Sequence, residues 1–592
     1  MWRFCWSKSQ RNMPFSGNEE NMIHYKGLPV STGLAVGSAF CYRPVQPEDC
    51  LYQIEEQGAV QSFAEALEQA KEELHCLCSR LEATSAEQAK ILQAHIEIAE
   101  DEAMAEDMAM ALEDGLPVGE AVMTVFGQYI KMFAAAGEER IRERVADLTD
   151  VRNRILRILA GFPQQDLSSL PAPCIVVAHD LLPADTAGID RANVLAIVTE
   201  IGGETSHTAI IARSYGIPCI VGVSDCCAAV RTGDAVIAEA IEGFFGLSPT
   251  PEEQQKYLQK AEQLRQRKQK TEVYRKIPCA LTDGTPVDIC INLAQITAEA
   301  LKPAEYMDGV GLFRTEFLYM GRATLPGEDE QYNVYRRVLE AFGKKPVVLR
   351  TLDIGGDKKV DCMTLPQEQN PFLGERALRL CFAQPHIFRT QLRAALRASV
   401  HGTLWIMFPM VGSVEDFLRA RAMLEEERRA LLEQGYPVSE RLRIGAMIEI
   451  PSMALCADAL AAVADFASIG SNDLTQYLLA VDRTEATVAG YCQKYHPAVW
   501  RAVRMAAQAF TAAGKPISIC GELGGDPMAA PALVGAGMRK LSMSEGAAAA
   551  VKETLCGCST AECRELLERV CAAGCADDAE KILASFHNRK AE

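Results

Sequence analysis

Eight apolar segments, each followed by a helical pattern, run through the C-terminal half of this chain, and that repetition restricts the fold more than any other feature. They are PVDICINLA, GVGLFRTE, PVVLRTLD, LWIMFPM, RIGAMIEI, FASIGSND, PISICGEL and KLSMSE. Eight strand-plus-helix units over about 300 residues predict a (β/α)8 barrel. In such barrels chemistry sits at the C-terminal ends of the strands. Those ends carry Asn292, Arg314, Glu316, Arg350, Asp353, Glu449, Asn472, Asp473, Cys520 and Glu522, whereas the strand interiors are aliphatic, aromatic or small. A purely structural barrel has no need to gather its polar residues on one rim.

The N-terminal half reads differently. Residues 27–45 show short strands punctuated by Gly, Pro and Ser, and PCIVVAHD, NVLAIVTE, PCIVGV and AVIAEAIEG read as buried strands between 173 and 247. Between these stretches lies helical periodicity rich in Ala, Leu, Glu and Gln, with breaks near Gly115–Pro117 and Gly137. A helical block is therefore inserted into an α/β domain. Residues 251–277 are polar nearly all round, as in a helix that bridges domains, which predicts flexibility between the halves. The expected organisation is a disordered leader (1–24), an α/β domain (25–48 and 163–250), the inserted helical subdomain (49–162), a linker helix (251–277) and the barrel (278–592).

Charge excludes some functions. The chain has 592 residues, with 60 Lys plus Arg against 79 Asp plus Glu and a net charge of −19. A chain this acidic, without a basic run, is a poor binder of nucleic acid or anionic membranes. No run of eighteen apolar residues spans a bilayer, and the first residues lack the apolar core of a signal peptide. A cytoplasmic protein is expected. Residues 51–160 hold 22 acidic against 10 basic side chains, which fits either a solvated helical surface or a docking face for a basic partner. The 21 cysteines are scattered through a long chain. The densest group (Cys556, Cys558, Cys563, Cys571 and Cys575) lacks the paired spacing of a zinc site, so buried or partly buried thiols are expected there.

One histidine stands out. NVLAIVTE leads into IGGETSHTAIIAR, where Gly202 and Gly203 permit a tight turn, and Thr205 and Ser206 are N-cap candidates for a helix starting near His207. That places His207 beside unsatisfied N–H donors and the positive end of a helix dipole, a favourable site for a phosphoryl group. A neutral imidazole is a competent nucleophile. A capping histidine without chemistry is the plain alternative.

On the barrel rim, Glu449 and Asp473 end neighbouring strands as an oxygen-rich, under-filled set that suits Mg2+. Arg314, Arg350, Lys358, Arg376 and Arg483 supply the charge that a phosphorylated acid would need. Cys520 is either a buried structural thiol or, with a pKa near the usual value, a proton donor to carbon.

GGETSHTAIIAR resembles the phosphohistidine signature shared by enzyme I of the phosphoenolpyruvate:sugar phosphotransferase system, phosphoenolpyruvate synthase and pyruvate phosphate dikinase. GVGLFRTEFLYM, RTLDIGGDK, NPFLGERALR, FPMVGSVE, IEIPSMAL, SIGSNDLTQYLLAVDR and CGELGGDP are similar, in order and spacing, to the barrel of the enzyme I family. The resemblance covers residues 25 to 585. It implies a phosphohistidine domain that swivels, a helical subdomain that docks the carrier protein HPr (with QAHIEIAEDE among its residues), and a barrel that binds phosphoenolpyruvate and forms a homodimer. It further implies that His207 accepts the phosphoryl group, with Thr186 bonding its imidazole and Arg213 closing the motif. Arg314, Arg350, Asn472, Asp473 and Arg483 would bind phosphoenolpyruvate, Glu449 and Asp473 would hold Mg2+, and Cys520 would be the general acid. Lys358 and Arg376 resemble supporting phosphate contacts. Because His207 and the rim lie on different domains, the histidine would swing in to be charged and out to deliver. Glu204 and Glu375 depart from the family pattern, which commonly has Arg and an aromatic residue there, and LSMSEGAAAA departs as well. The nucleotide-dependent relatives add a large nucleotide-binding domain, and no GxxxxGK[ST] loop occurs in this chain. A regulatory scaffold with decayed chemistry is disfavoured by the intact His207, Cys520, Glu449 and Asp473.

Overall fold

The computed structural model describes residues 22–591 apart from 44, 83–85, 135–138, 164–166, 168–169, 171, 182, 187–188, 204–205, 357–359, 361, 364, 367, 484 and 486. The chain divides into two compact units, one ending at Gln266 and the other beginning at Arg267.

The first unit is built on eight strands: β1 (Ile23–Lys26), β2 (Leu28–Ser31), β3 (Leu34–Tyr42), β4 (Cys174–Ala178), β5 (Val194–Thr199), β6 (Cys219–Val221), β7 (Ala235–Glu239) and β8 (Phe244–Leu247). They form one mixed sheet in the order β1-β8-β7-β3-β4-β5-β6-β2, parallel from β3 to β6. Both faces are covered, so β4 and β5 are buried along nearly their whole length. Val176, Ala178 and Ile197 pack into one core, while Ile175, Val177, Ala196 and Val198 face the other, the period of two expected of strands. Two readings are corrected here. Met22 is buried and β1, which begins at Ile23, pairs with β8, so residues 22–24 are part of the folded domain and not of a disordered leader. β8 was also missed, because FFGL is too short to show a pattern without its partner strands.

Six helices leave the sheet after β3 and return at β4, its parallel neighbour: α1 (Pro47–Gln57), α2 (Phe63–Glu82), α3 (Ala86–Ala99), α4 (Glu102–Glu113), α5 (Val118–Ala134) and α6 (Glu139–Leu159). Ala66, Ala70, Leu74, Ile96, Val122, Phe126, Val151 and Ile155 share one core. Within it, His95 lies 3.0 Å from Asp147 and 3.3 Å from Asp150. Burial alone would lower the imidazole pKa, but the two carboxylates outweigh it and push it up to about 9.

The polar helix Pro251–Glu272 leads to the second unit. There β9 (Asp288–Leu293), β10 (Val310–Phe313), β11 (Pro346–Arg350), β12 (Thr403–Phe408), β13 (Arg443–Ile448), β14 (Phe466–Gly470), β15 (Ile517–Cys520) and β16 (Lys540–Met543) close into an all-parallel barrel. Each of the eight expected strands is present. Outward residues such as Val347, Leu349, Ile406 and Ile519 pack against the surrounding helices around the fully buried Trp500. Truncating one such residue to Ala costs about 2–5 kcal/mol. Inward residues form a second core of Leu312, Val348, Trp405, Met407, Met447, Phe466 and Cys520. At the end where the strands start, Arg443 and Lys540 lie over the Trp405 ring at 4.7 and 4.6 Å. Among the described residues no helix is long and apolar enough to cross a membrane.

Candidate active site

Strand periodicity decides which side chains enter the barrel mouth. Leu312, Val348 and Met447 point inward, so Arg314, Arg350 and Glu449, two positions further on, occupy the next inward layer. Cys520 ends β15 on the same face. Gly470 fills the corresponding position on β14, paired with Cys520 in the register. A Cβ at Gly470 would stand 2.6 Å from Glu449 Oε2, so the glycine makes room for the carboxylate.

A buried ion network underlies this layer. Arg350 Nη2 donates to Glu316 at 2.7 Å and lies 3.0 Å from Asp353. Arg376, 1% exposed, donates to both oxygens of Asp353 (3.0 and 3.2 Å) and both of Asp473 (3.2 and 3.3 Å). Tyr477 accepts from Arg376 and donates to the Phe372 carbonyl at 2.6 Å. Arg483 approaches Asp473 at 3.9 Å. Glu449 is 1% exposed; its Oε1 accepts the Met410 N–H at 2.6 Å, while its Oε2 and the Arg350 Nε are buried without a hydrogen-bond partner. Burial, with Asp473 and Asp353 nearby, pushes the Glu449 pKa up to about 8 against the pull of Arg350 and Arg376. Unmatched buried polar atoms are costly, which makes these two candidates for contact with a bound group.

The remaining rim residues sit close by. Arg314 is exposed in the mouth yet crowded by protein, and that desolvation, followed by Arg350, lowers its pKa. The Asn472 carbonyl oxygen accepts the Glu522 N–H at 3.0 Å, and Ser471 donates to the Cys520 carbonyl at 2.9 Å. Cys520 does not have the ordinary thiol pKa expected of it. Burial pushes it up to about 11, against the Ser468 hydrogen bond and Arg350, so the thiol stays protonated. The donors of Arg376, which the family resemblance offers as a supporting phosphate contact, are engaged by Asp353 and Asp473. Lys358 lies outside the described residues. In the C-terminal cysteine group Cys558, Cys563 and Cys571 are buried as expected, but Cys575 is exposed.

In the first unit, Ser206 caps the helix His207–Tyr215, its Oγ accepting the Ala209 N–H at 3.3 Å. His207 is the first helical residue, and its side chain is not among those described. Gly202, at φ 118°, makes the turn before the cap. Thr208 donates to the Leu181 carbonyl, and Thr186 is fully buried. Arg213 donates to the Val30 carbonyl of β2 at 2.7 Å. Glu204 and Thr205 lie outside the described residues.

Three family models match the chain in series: the N-terminal domain of PEP-utilising enzymes over 26–144, the mobile domain over 170–243 and the PEP-binding domain over 268–559. Phosphoenolpyruvate-protein phosphotransferase of Staphylococcus carnosus (strain TM300) is 38% identical over 562 residues, covering 94% of this chain and 97% of that one. Those of Bacillus sp. (strain S) and Geobacillus stearothermophilus are each 39% identical over 568 residues, covering 94% of this chain and 97% of theirs. The chain belongs to the phosphoenolpyruvate-protein phosphotransferase family.

It is accordingly an enzyme of phosphoryl transfer, and its barrel is the PEP-binding domain of that family. Asp353, Glu316 and Tyr477 organise the mouth, although the motifs gave them no role. The acidic ends of LFRTE and RTLD were a signal for the first two. No local pattern announced Tyr477, which meets Arg376 across 101 residues of chain.

Proposed function

We propose that this enzyme takes the phosphoryl group of phosphoenolpyruvate onto His207, releases pyruvate, and passes the group to the histidine of the carrier HPr, the entry step of phosphotransferase-driven sugar uptake. The P–O bond of phosphoenolpyruvate breaks as an N–P bond forms on the imidazole. The enolate left behind takes a proton at C3 from the Cys520 thiol, which is then reprotonated from solvent. Arg314, Arg350, Asn472 and Arg483 bind and orient the phosphorylated acid, with Asp473 completing the pocket. Fixed cations aimed at developing charge in a water-poor site are the largest contributors to such transfers. Arg376 acts as a positioning residue by holding Asp353 and Asp473.

The donor set fits a hard cation such as Mg2+: it is all oxygen, and the buried Glu449 Oε2 lacks a partner. Glu449 and Asp473 would hold the ion. When bound it supplies charge neutralisation at the transferring phosphoryl group. The acidic helical subdomain α1–α6 suits a carrier of opposite charge. A cytoplasmic homodimer assembled through the barrel domain completes the reading.

The observation that carries it is the convergence of Arg314, Arg350, Glu449 and Cys520 on one inward layer, with a carboxylate oxygen and a guanidinium nitrogen unmatched. The test uses labelled phosphoenolpyruvate and Mg2+ with wild type and His207→Ala, quenched in acid and in base. Acid-labile, base-stable label on wild type alone is expected. Label on neither protein, or equally on both, would overturn the histidine assignment.

A further inference from the structure

At the end of β5, Glu200 stands against two consecutive cysteines, Cys226 and Cys227. One carboxylate oxygen and the two sulfurs all lie within 4.8 Å of one another. Cys226 is buried, while Glu200 and Cys227 are half-buried, which leaves the group open to solvent on one side. The carboxylate is fixed from two directions: Oε1 accepts the Cys227 N–H at 2.8 Å, and Oε2 lies 2.7 Å from His179 Nδ1. Arg43 donates to the carbonyls of Cys227 and Val230. None of these residues has a part in the phosphoryl transfer described above.

We propose that Glu200, Cys226 and Cys227 form a binding site for a thiophilic divalent cation of the zinc class, with His179 orienting the carboxylate and solvent taking the fourth position. A tetrahedral zinc site, with Zn–S of ~2.3 Å and Zn–O of ~2.0–2.2 Å, sets its ligand atoms about 3.3–3.8 Å apart, a spacing this group can reach by small side-chain movements. Two sulfur donors select a soft or borderline ion over Mg2+. Ligating carboxylates are themselves held by hydrogen bonds, as Glu200 is by His179 and by the Cys227 N–H. The charges balance too: two thiolates and a carboxylate face a dication, with the Arg43 guanidinium beside them. Binding displaces up to two thiol protons into solvent.

The experiment is titration of the full-length reduced protein with Co2+. One equivalent should produce a thiolate-to-cobalt charge-transfer band and release protons. Cys227→Ser should abolish the band, and Glu200→Gln should weaken Co2+ binding at least tenfold, with circular dichroism confirming that both variants fold. Cys556→Ser, which disturbs the separate hydrogen-bonded thiol pair Cys279 and Cys556, should leave the band unchanged. A second measurement needs no variant: one equivalent of Zn2+ should protect Cys227 from alkylation in wild type, as read by peptide mass mapping. The proposal is overturned by absence of the band in wild type, by its full retention in Cys227→Ser, or by alkylation of Cys227 that Zn2+ does not slow. Conversion of Cys226 and Cys227 to a disulfide without metal uptake would overturn it as well. These readouts do not involve phosphoenolpyruvate, so they stand or fall independently of the phosphotransfer reading.

Discussion

The barrel mouth and the histidine helix place functional side chains by opposite means. In the mouth, position comes from charges paired over long stretches of chain: Arg376 reaches Asp473 across 97 residues and Asp353 across 23, and Arg350 reaches Glu316 across 34. At His207 it comes from neighbours, with Gly202 making the turn, Ser206 capping the helix and Gly216 closing it at φ 67°. Ions removed from water are rigid when fully paired and expensive when a partner is lost. A cap contributes about 1 kcal/mol and can be replaced. The difference teaches that damage to the mouth should be severe and cooperative, whereas damage to the histidine helix should be mild and local.

Arg376→Met tests the severe side. It leaves Asp353 and Asp473 buried without their shared cation, so the barrel should lose about 3–5 kcal/mol. Pyruvate formation should fall by roughly 100-fold or more, since a small displacement of oriented groups is that costly. Chemical denaturation and a pyruvate assay read the two effects. A variant that keeps both stability and turnover would mean the network is decoration, and the contrast would fail.

Cys520→Ala should come next. Proton delivery to C3 by a positioned acid is worth about 100-fold at the low end of general acid catalysis, so turnover should drop by that order. Phosphorylation of His207 should still occur, because the proton is needed only after the P–O bond has broken. With phosphoenolpyruvate stereospecifically deuterated at C3 and turned over in tritiated water, the chirality of the product methyl group should show that protonation has lost its facial preference. Retained facial preference in the variant would assign the proton to another group.

How much of this could be read from the sequence follows the same division. The barrel strands were legible because burial on both faces gives unbroken apolar runs, and the strand-end rule then pointed to Arg314, Arg350, Glu449 and Cys520. The cap at Ser206 was legible because its partners lie within three residues. The Arg376 hub was not, since Asp353 follows β11, Asp473 lies in the helix after β14, and only the closed barrel brings them together. The Cys520 pKa was set by burial, which a sequence shows poorly. β1 was lost in the supposed leader because a four-residue strand has little pattern until β8 pairs with it. Glu200 and the two cysteines escaped a search for paired cysteine spacing because their third donor comes from the end of β5, 27 residues before Cys227.

His95 sharpens the comparison from inside the helical block, where a charge is again buried but the surroundings are helix packing. The folded pKa of about 9 lies above the ordinary value of ~6.5. The stability it contributes is therefore whole below pH ~6.5 and is lost as the pH rises through about 9. The size should be on the order of 3 kcal/mol. The difference in stability between wild type and His95→Gln should narrow steadily from pH 6 to pH 9.5 in urea unfolding. A gap independent of pH would show that His95 contributes by shape and not by charge.

The smallest effect is expected at Ser206. Ser206→Ala removes the acceptor for the Ala209 N–H and should cost about 1 kcal/mol, confined to the first turn of the histidine helix. Hydrogen exchange at Ala209 should quicken by roughly fivefold, the factor that about 1 kcal/mol allows, while the barrel amides stay unchanged. Ser206→Gly should lie between alanine and wild type, because glycine at this position costs only a few tenths of a kcal/mol. Ser206→Asp separates structure from chemistry. Aspartate caps as well as serine, so the helix should keep its stability, but it sets a negative charge where the incoming phosphoryl group needs a positive helix end. Phosphorylation of His207 should slow in this variant although the fold is intact. If it proceeds at the wild-type rate, the helix start only positions the histidine and takes no part in holding the anion.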